Sequence, residues 1–155
     1  APRHPRRGDE VEALIRDSGL DCARRSRGEP PAGADVYLAD TMGEMPLFYG
    51  LAGRVFIGGT LTDRGGHTPY EPAAYGAALL RGPDVAKHRP GFDRLEAANA
   101  ALTVADAEAL AAGLNALSDP EKQSAMGTAA QAALRPQADA RELVAAITQR
   151  LDAAP

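Results

Sequence analysis

The chain has 155 residues, of which 45% are hydrophobic and 25% charged, with 16 glycines and 12 prolines. That is the length of one domain with enough apolar content to bury a core, and the composition is too apolar for a disordered chain. Lys+Arg 17 against Asp+Glu 21 gives a net charge of −4, which argues against a nucleic-acid footprint, and the single cysteine, Cys22, rules out an intramolecular disulfide and a cysteine-built zinc site.

The chain opens on Ala1-Pro2-Arg3-His4-Pro5, which reads as the loop that follows a strand. We therefore expect a fragment of a longer protein, cut near the end of a first β-strand; a processed or tagged end is the alternative. Residues 1–9 are basic and proline-bearing without the apolar core of a secretory signal, and no apolar run approaches the roughly 20 residues of a membrane span. The lone cysteine fits a reducing compartment, with Cys22 a small buried hydrophobe. Residues 9–18 place Val11, Leu14 and Ile15 at helical spacing, and Gly19 stands where a helix end favours glycine. Arg6-Arg7, Arg24-Arg25 and Arg27 read as a solvated basic face. Gly28-Glu29-Pro30-Pro31-Ala32-Gly33 is a loop by its breakers.

Val36-Tyr37-Leu38 is a short strand ended by Asp40, and residues 44–52 form a short helix that packs Met45, Phe48, Tyr49 and Leu51. Val55-Phe56-Ile57 is a buried strand closed by Gly58-Gly59. A helix over 72–78 precedes a strand at 78–80, and 101–104 is a last strand. From Asp106 three alanine-rich helical stretches follow, broken near Ser118-Asp119-Pro120 and Arg135-Pro136. Short continuous apolar strands separated by helices give the α/β class: a Rossmann-like, doubly wound parallel sheet over residues 1–135, with a helical C-terminal tail over 136–155.

Two strand-to-helix loops carry the chemistry. Asp40-Thr41-Met42-Gly43-Glu44 and Thr68-Pro69-Tyr70-Glu71 each fit a capping box, Thr41 with Glu44 and Thr68 with Glu71, the second with Pro69 at the first helical position. Both are explained as well-capped helix starts. Equally, both open at the carboxyl edge of a parallel sheet, where free N–H groups suit a phosphate. Between them, Gly58-Gly59 and Gly65-Gly66-His67 allow a close backbone approach or a tight turn, in neither a Walker nor a dinucleotide pattern. His67 can contact a ligand or fix its loop. His4, His67 and His88 lack metal-ligand spacing, so no metal is expected. Arg3 would stand on the carboxyl edge, within reach of an anion.

These motifs, in this order, resemble a known family. Pro2-Arg3-His4-Pro5, Ala23-Arg24-Arg25-Ser26 with Gly28-Glu29, Asp40-Thr41-Met42-Gly43-Glu44-Met45, Phe56-Ile57-Gly58-Gly59-Thr60-Leu61 and Gly65-Gly66-His67-Thr68-Pro69-Tyr70-Glu71-Pro72-Ala73-Ala74 are similar to the C-terminal half of the bacterial 3-deoxy-D-manno-octulosonic acid (Kdo) transferases. The match is close over residues 1–83 and extends beyond only as a helical pattern. It implies the nucleotide-sugar-binding half of a metal- and cofactor-independent inverting glycosyltransferase of the two-domain GT-B type. Such an enzyme moves Kdo from CMP-Kdo to a lipid A precursor at the cytoplasmic face of the bacterial inner membrane, for lipopolysaccharide biosynthesis.

The resemblance places CMP contacts on Pro2 and Arg3, on Met42, Gly43 and Glu44, and on Thr68, Pro69, Tyr70 and Glu71, with Gly58, Gly59 and His67 as further candidates. The acceptor site, catalytic base and membrane contact belong by resemblance to an N-terminal half, so no catalytic residue is expected here. Helix N-termini favour the ionised carboxylate, which makes Glu44 and Glu71 better partners for a ribose or sugar hydroxyl than general bases. The chain departs from the family twice: Thr68 replaces the usual asparagine, and Asp84-Val85-Ala86-Lys87 replaces a His-Thr-Phe-Asn-Phe-like segment. Another nucleotide-sugar transferase of the same architecture, or a non-catalytic nucleotide-binding module, fits the same residues.

Overall fold

The structure, a computed structural model, describes residues 1–2, 4–136 and 140–152. Among the described residues every strand pairing is parallel, as the short apolar runs between helices require. The chain divides into two units, Ala1–Phe48 and Tyr49–Pro155.

In the first unit a 3-10 turn over Pro5–Arg7 leads into helix α1 (Gly8–Asp17), followed by strands β1 (Cys22–Arg24) and β2 (Val36–Leu38). Cys22 pairs with Val36 and Arg24 with Leu38. α1 ends at Gly19 as expected: its φ of +78° lets the Gly19 and Leu20 N–H groups donate back to the carbonyls of Arg16 and Ile15. Which face of α1 is buried was not legible. Leu14 is 58% exposed, and the buried positions are Gly8 and Glu12. Nor was β1, because the run Arg24-Arg25-Ser26-Arg27 reads as solvated charge. Arg24 is in fact buried, paired with carboxylates on α1 and beyond β2. Cys22 is buried, as a small hydrophobe should be.

Helix α2 (Met45–Leu51) runs across the division between the units. It buries none of its residues, and Leu51, expected inside, is exposed.

The second unit is built on a three-stranded sheet of β3 (Arg54–Ile57), β4 (Ala78–Arg81) and β5 (Ala101–Thr103), in that order. Helices α3 (Tyr70–Ala74), α4 (Arg89–Ala97), α5 (Ala107–Ala116) and α6 (Pro120–Leu134) surround it, and α7 (Ala140–Asp152) follows. Alternation along β4 sends successive side chains to opposite faces. Leu79 joins Ile57 of β3 and Ala73, Phe92, Leu95, Ala130 and Leu134 of α3, α4 and α6. Leu80 and Ala78 join Val104 and Leu117, with Leu110 and Leu114 of α5 packed on them. Helices thus cover both faces of this sheet, so the fold is α/β with a doubly covered parallel sheet and a helical C-terminal end.

α3 starts and stops earlier than the 72–78 expected from sequence. Gly76, at φ +73°, closes it: Ala77 donates to the Pro72 carbonyl at 3.2 Å and Gly76 to that of Ala73 at 2.9 Å. α4 was missed because Pro90-Gly91 looks like a break. Here Pro90 sits in the first turn, where a missing N–H costs nothing, and Phe92 and Leu95 face the core. α5 and α6 begin on real caps: Asp106 accepts from the Ala109 N–H at 2.8 Å and Asp119 from that of Glu121 at 2.9 Å. α6 lies so close to the α3–β4 turn that a Cβ on Gly127 would overlap the Gly76 carbonyl.

Replacing Leu79 with alanine should cost about 2–5 kcal/mol by leaving a cavity between β4 and its helices. Gly127→Ala should cost about 1–3 kcal/mol by forcing α6 away from Gly76. Urea denaturation of the two variants checks both; a neutral Gly127→Ala would mean that α6 shifts freely over the turn.

Candidate functional site

The two loops singled out in the sequence lie one in each unit. In the first unit the loop after β2 is anchored by Asp40, which is buried. Arg24 donates from Nε to Asp40 Oδ2 at 2.8 Å, Ser26 from its N–H to Oδ1 at 2.9 Å and from its hydroxyl to Oδ2 at 2.7 Å. Arg24 also reaches Glu12 Oε2 at 3.0 Å and Asp9, while Arg27 and Arg16 close on Glu12 from outside. Burial alone would raise the Asp40 carboxyl, but the Ser26 and then the Arg24 hydrogen bonds outweigh it and hold it at about 2. Hydrogen bonds from Arg27, then Arg24, hold Glu12 at about 2. The first acidic residue of the Asp40–Glu44 motif is therefore a structural anchor.

Beyond it the loop turns outward. Met42 is 74% exposed, and Gly43 takes φ +81°, a conformation that glycine adopts at no steric cost. Thr41 and Glu44 do meet, though not as a capping box. The Thr41 hydroxyl donates to the Glu44 carboxylate, while the Glu44 carbonyl accepts from the Leu47 and Phe48 N–H groups and so starts α2. Arg25 grips the same carboxylate as a fork, from Nε at 3.1 Å and from Nη2 at 2.6 Å. Arg25 first and Thr41 second keep Glu44 ionised, at about 2. Arg25 is the residue that sequence reasoning missed here. No local signal marks the pair, because Arg25 stands nineteen positions before Glu44. Pro2 is half-buried and His4 exposed, and Arg3 lies outside the described residues.

In the second unit the loop between β3 and α3 holds Gly58, Gly59, His67 and Thr68. His67 donates its backbone N–H to the Gly58 carbonyl at 3.0 Å, and its ring lies 3.4 Å from where a Gly58 Cβ would stand. Thr68 accepts from the Tyr70 N–H at 3.4 Å, a weak local bond in place of the expected box with Glu71. Pro69 precedes α3 and is buried, whereas Glu71 is exposed. The Tyr70 ring packs over Gly91 of α4, about 3 Å from where a Cβ would be. Burial, then the charge of Glu71, raises the Tyr49 phenol.

With five residues in α3 and seven in α2, neither helix offers much of a dipole. What the two loops present to solvent is exposed side chains such as Met42 and Glu71. Among the described residues no group of three His, Cys, Asp or Glu side chains is placed to hold a metal ion, and no helix is long and apolar enough to cross a membrane.

No family model matches the chain. It is 40% identical over 134 residues to the 3-deoxy-D-manno-octulosonic acid transferase of Bordetella pertussis, covering 84% of this chain and 31% of that protein. The transferase of the same name from Haemophilus influenzae is 38% identical over 95 residues, 61% of this chain and 21% of that one. Thus the chain spans less than a third of these relatives. Among solved structures, the C-terminal CMP-Kdo binding domain of WaaA from Acinetobacter baumannii superposes with a TM-score of 0.80 at 34% identity, over 88% of this chain and 72% of that one.

Glu12, Asp40 and Glu44 ordinarily titrate near 4.5, 3.8 and 4.5 and are all held near 2 in the fold. A depressed carboxyl stabilises the fold above its unfolded value and loses that contribution as pH falls through the folded one. The first unit should therefore keep its stability down to about pH 5 and lose it progressively toward pH 2. Asp40→Asn should lower stability at pH 7 and blunt this acid response. Circular-dichroism melts across pH 2–7 test it; melts that are flat between pH 4.5 and 2 would contradict the network.

Proposed function

We propose that this chain, which belongs to the family of Kdo transferases, is the donor-binding part of such an enzyme and holds CMP-Kdo. The likeness to a CMP-Kdo binding domain over 88% of the chain carries the reading. In it, Met42, Gly43 and Glu44 and the set Thr68, Pro69, Tyr70 and Glu71 contact the CMP portion, with Pro2 and Arg3 beside the nucleotide. Gly58, Gly59 and His67 line the approach. The geometry supports these roles in particular ways. Met42 and Gly43 stand open to solvent, and Glu71 is exposed at the start of α3. Glu44 is a fixed anion whose two oxygens already bond Arg25, so the exposed Glu71 is the freer of the two to accept from a ribose hydroxyl.

In the transfer an acceptor hydroxyl attacks the anomeric carbon of Kdo as the bond to the CMP phosphate oxygen breaks. The hydroxyl proton passes to a base, and CMP leaves. Glu44, held near 2 by Arg25, is too weak a base at neutral pH to take that proton. We assign the base, the lipid A precursor site and the membrane contact to the part of the enzyme beyond this chain. The full protein then acts at the cytoplasmic face of the bacterial inner membrane. The C-terminal helix belongs to the same picture. Val144 and Ile147 of α7 are 62% and 52% exposed, an apolar edge suited to brace the remainder of the enzyme.

Calorimetry should find that the chain binds CMP more tightly than UMP or AMP and that alone it transfers no Kdo. Glu71→Gln should weaken CMP binding roughly tenfold or more, on the scale of a lost charge-assisted hydrogen bond, and more than Glu44→Gln does. Equal affinity for the three nucleotides would remove the cytidine assignment, and unchanged affinity in Glu71→Gln would leave Glu71 structural.

A second outcome concerns the tail: by sedimentation the full chain should self-associate more than one ending at Pro136. If both run as monomers and the shorter one melts earlier, α7 is core to its own unit and the bracing role fails.

A further inference from the structure

We propose that Asp84 is a positioning residue of the donor site: from just past β4 it fixes the 58–67 loop in the shape that offers Gly58, Gly59 and His67 to the donor. The inference rests on the donor-binding reading above. Between β3 and α3 the chain makes a closed excursion. Gly66 and His67 donate to the carbonyls of Gly59 and Gly58, both at 3.0 Å, and so pinch its two ends together. Gly59, Gly65 and Gly66 all take φ near +75°, so the loop relies on glycines where side chains would strain it.

Two points tie this loop to the segment after β4. At its base the buried Thr60 hydroxyl donates to the Ile57 carbonyl at 2.6 Å and accepts from the Gly82 N–H at 2.7 Å. The Thr60 carbonyl takes the Asp84 N–H at 2.9 Å. A Cβ on Gly82 would overlap that carbonyl, so the two segments run as close as backbones can.

At its tip one carboxylate oxygen of Asp84 accepts from two consecutive backbone donors, Arg64 N–H at 2.8 Å and Gly65 N–H. The other oxygen takes the Ala86 N–H at 3.3 Å, and Lys87 donates its own N–H to the Gly65 carbonyl at 3.0 Å. The Lys87 stem then lies across Gly65. Two convergent N–H donors call for an acceptor without protons, which a carboxylate is and an amide is only in one of its two orientations. The Gly65, Ala86 and Arg64 N–H groups together outweigh burial and hold the Asp84 carboxyl below its ordinary range, so it is ionised throughout the working pH range. The segment in which the chain departs from the family pattern thus acts as a staple, and what it staples is the glycine-rich loop carrying His67.

The test uses the full chain as wild type, Asp84→Ala and Asp84→Asn, with Asp93→Asn as an exposed control. CMP affinity is read by calorimetry, and amide exchange of Gly66 and His67 is read without ligand. Asp84→Ala should weaken CMP binding about tenfold, the scale of one lost charge-assisted hydrogen bond. It should also speed exchange at Gly66 and His67, while Leu79 and Leu80 in β4 keep their protection. Asp84→Asn, with one acceptor oxygen left, should recover part of both losses, and Asp93→Asn should match wild type. If Asp84→Ala binds CMP as wild type does, Asp84 has no part in the site. Unchanged exchange at Gly66 and His67 overturns the staple itself. A wild-type chain that binds no CMP overturns the donor-binding reading and the positioning role with it, whatever the exchange shows.

Discussion

A parallel sheet releases the chain from all its strands at one edge, and there the backbone N–H and C=O groups lose their ladder partners. In each unit an aspartate just past one strand meets this constraint by capturing donors from the loop after the neighbouring strand. Asp40, past β2, takes the N–H and hydroxyl of Ser26 from the loop after β1 and the guanidinium of Arg24 from the end of β1 itself. Asp84, past β4, takes the Arg64 and Gly65 N–H groups from the loop after β3. The contacts proposed for Met42 and Gly43 and for Gly58, Gly59 and His67 depend on these two carboxylates, because those residues sit on the loops that they hold.

The two anchors differ in surroundings. Asp40 belongs to a buried ionic cluster with Arg24 and Glu12, and Gly8 lets α1 start against it: a Cβ there would crowd the guanidinium and stand 2.7 Å from Asp40 Oδ2. Replacing such a cluster with apolar side chains often leaves stability unchanged or raises it. What the cluster contributes is register, since it joins α1, the end of β1 and the end of β2 at one guanidinium. Asp84 works near the surface and takes backbone donors.

Among the described residues four of the five strands were legible because continuous apolar runs between breakers mark buried parallel strands, and Val36-Tyr37-Leu38 is one such run. β1 was not, since its last residue is an arginine in a basic stretch and only the carboxylates of Glu12 and Asp40 make burial of that charge tolerable. Pairings distant in sequence leave no local mark. The same reason hid Arg25 behind Glu44, nineteen positions away. The Thr-x-x-Glu spacing did identify the right loops but misjudged their chemistry. Thr41 and Glu44 bond side chain to side chain, and Thr68 bonds the backbone two residues on. The role of Asp84 was illegible for a further reason: its partners are backbone N–H groups, which no residue type advertises.

Arg25 gives the site its character. It makes Glu44 a fixed, permanently ionised acceptor, so the loop after β2 offers a hydrogen-bond acceptor for hydroxyls where a free carboxylate could also serve as a base. That division suits a part that holds a donor sugar nucleotide and leaves deprotonation to another. The most direct measurement is a titration of the isotope-labelled chain with CMP, followed by amide chemical shifts. The account predicts the largest changes at Met42, Gly43, Glu44, Tyr70 and Glu71. Changes confined to the α4–α6 face around Arg94 and Arg135, with residues 42–44 and 68–71 unmoved, would contradict it.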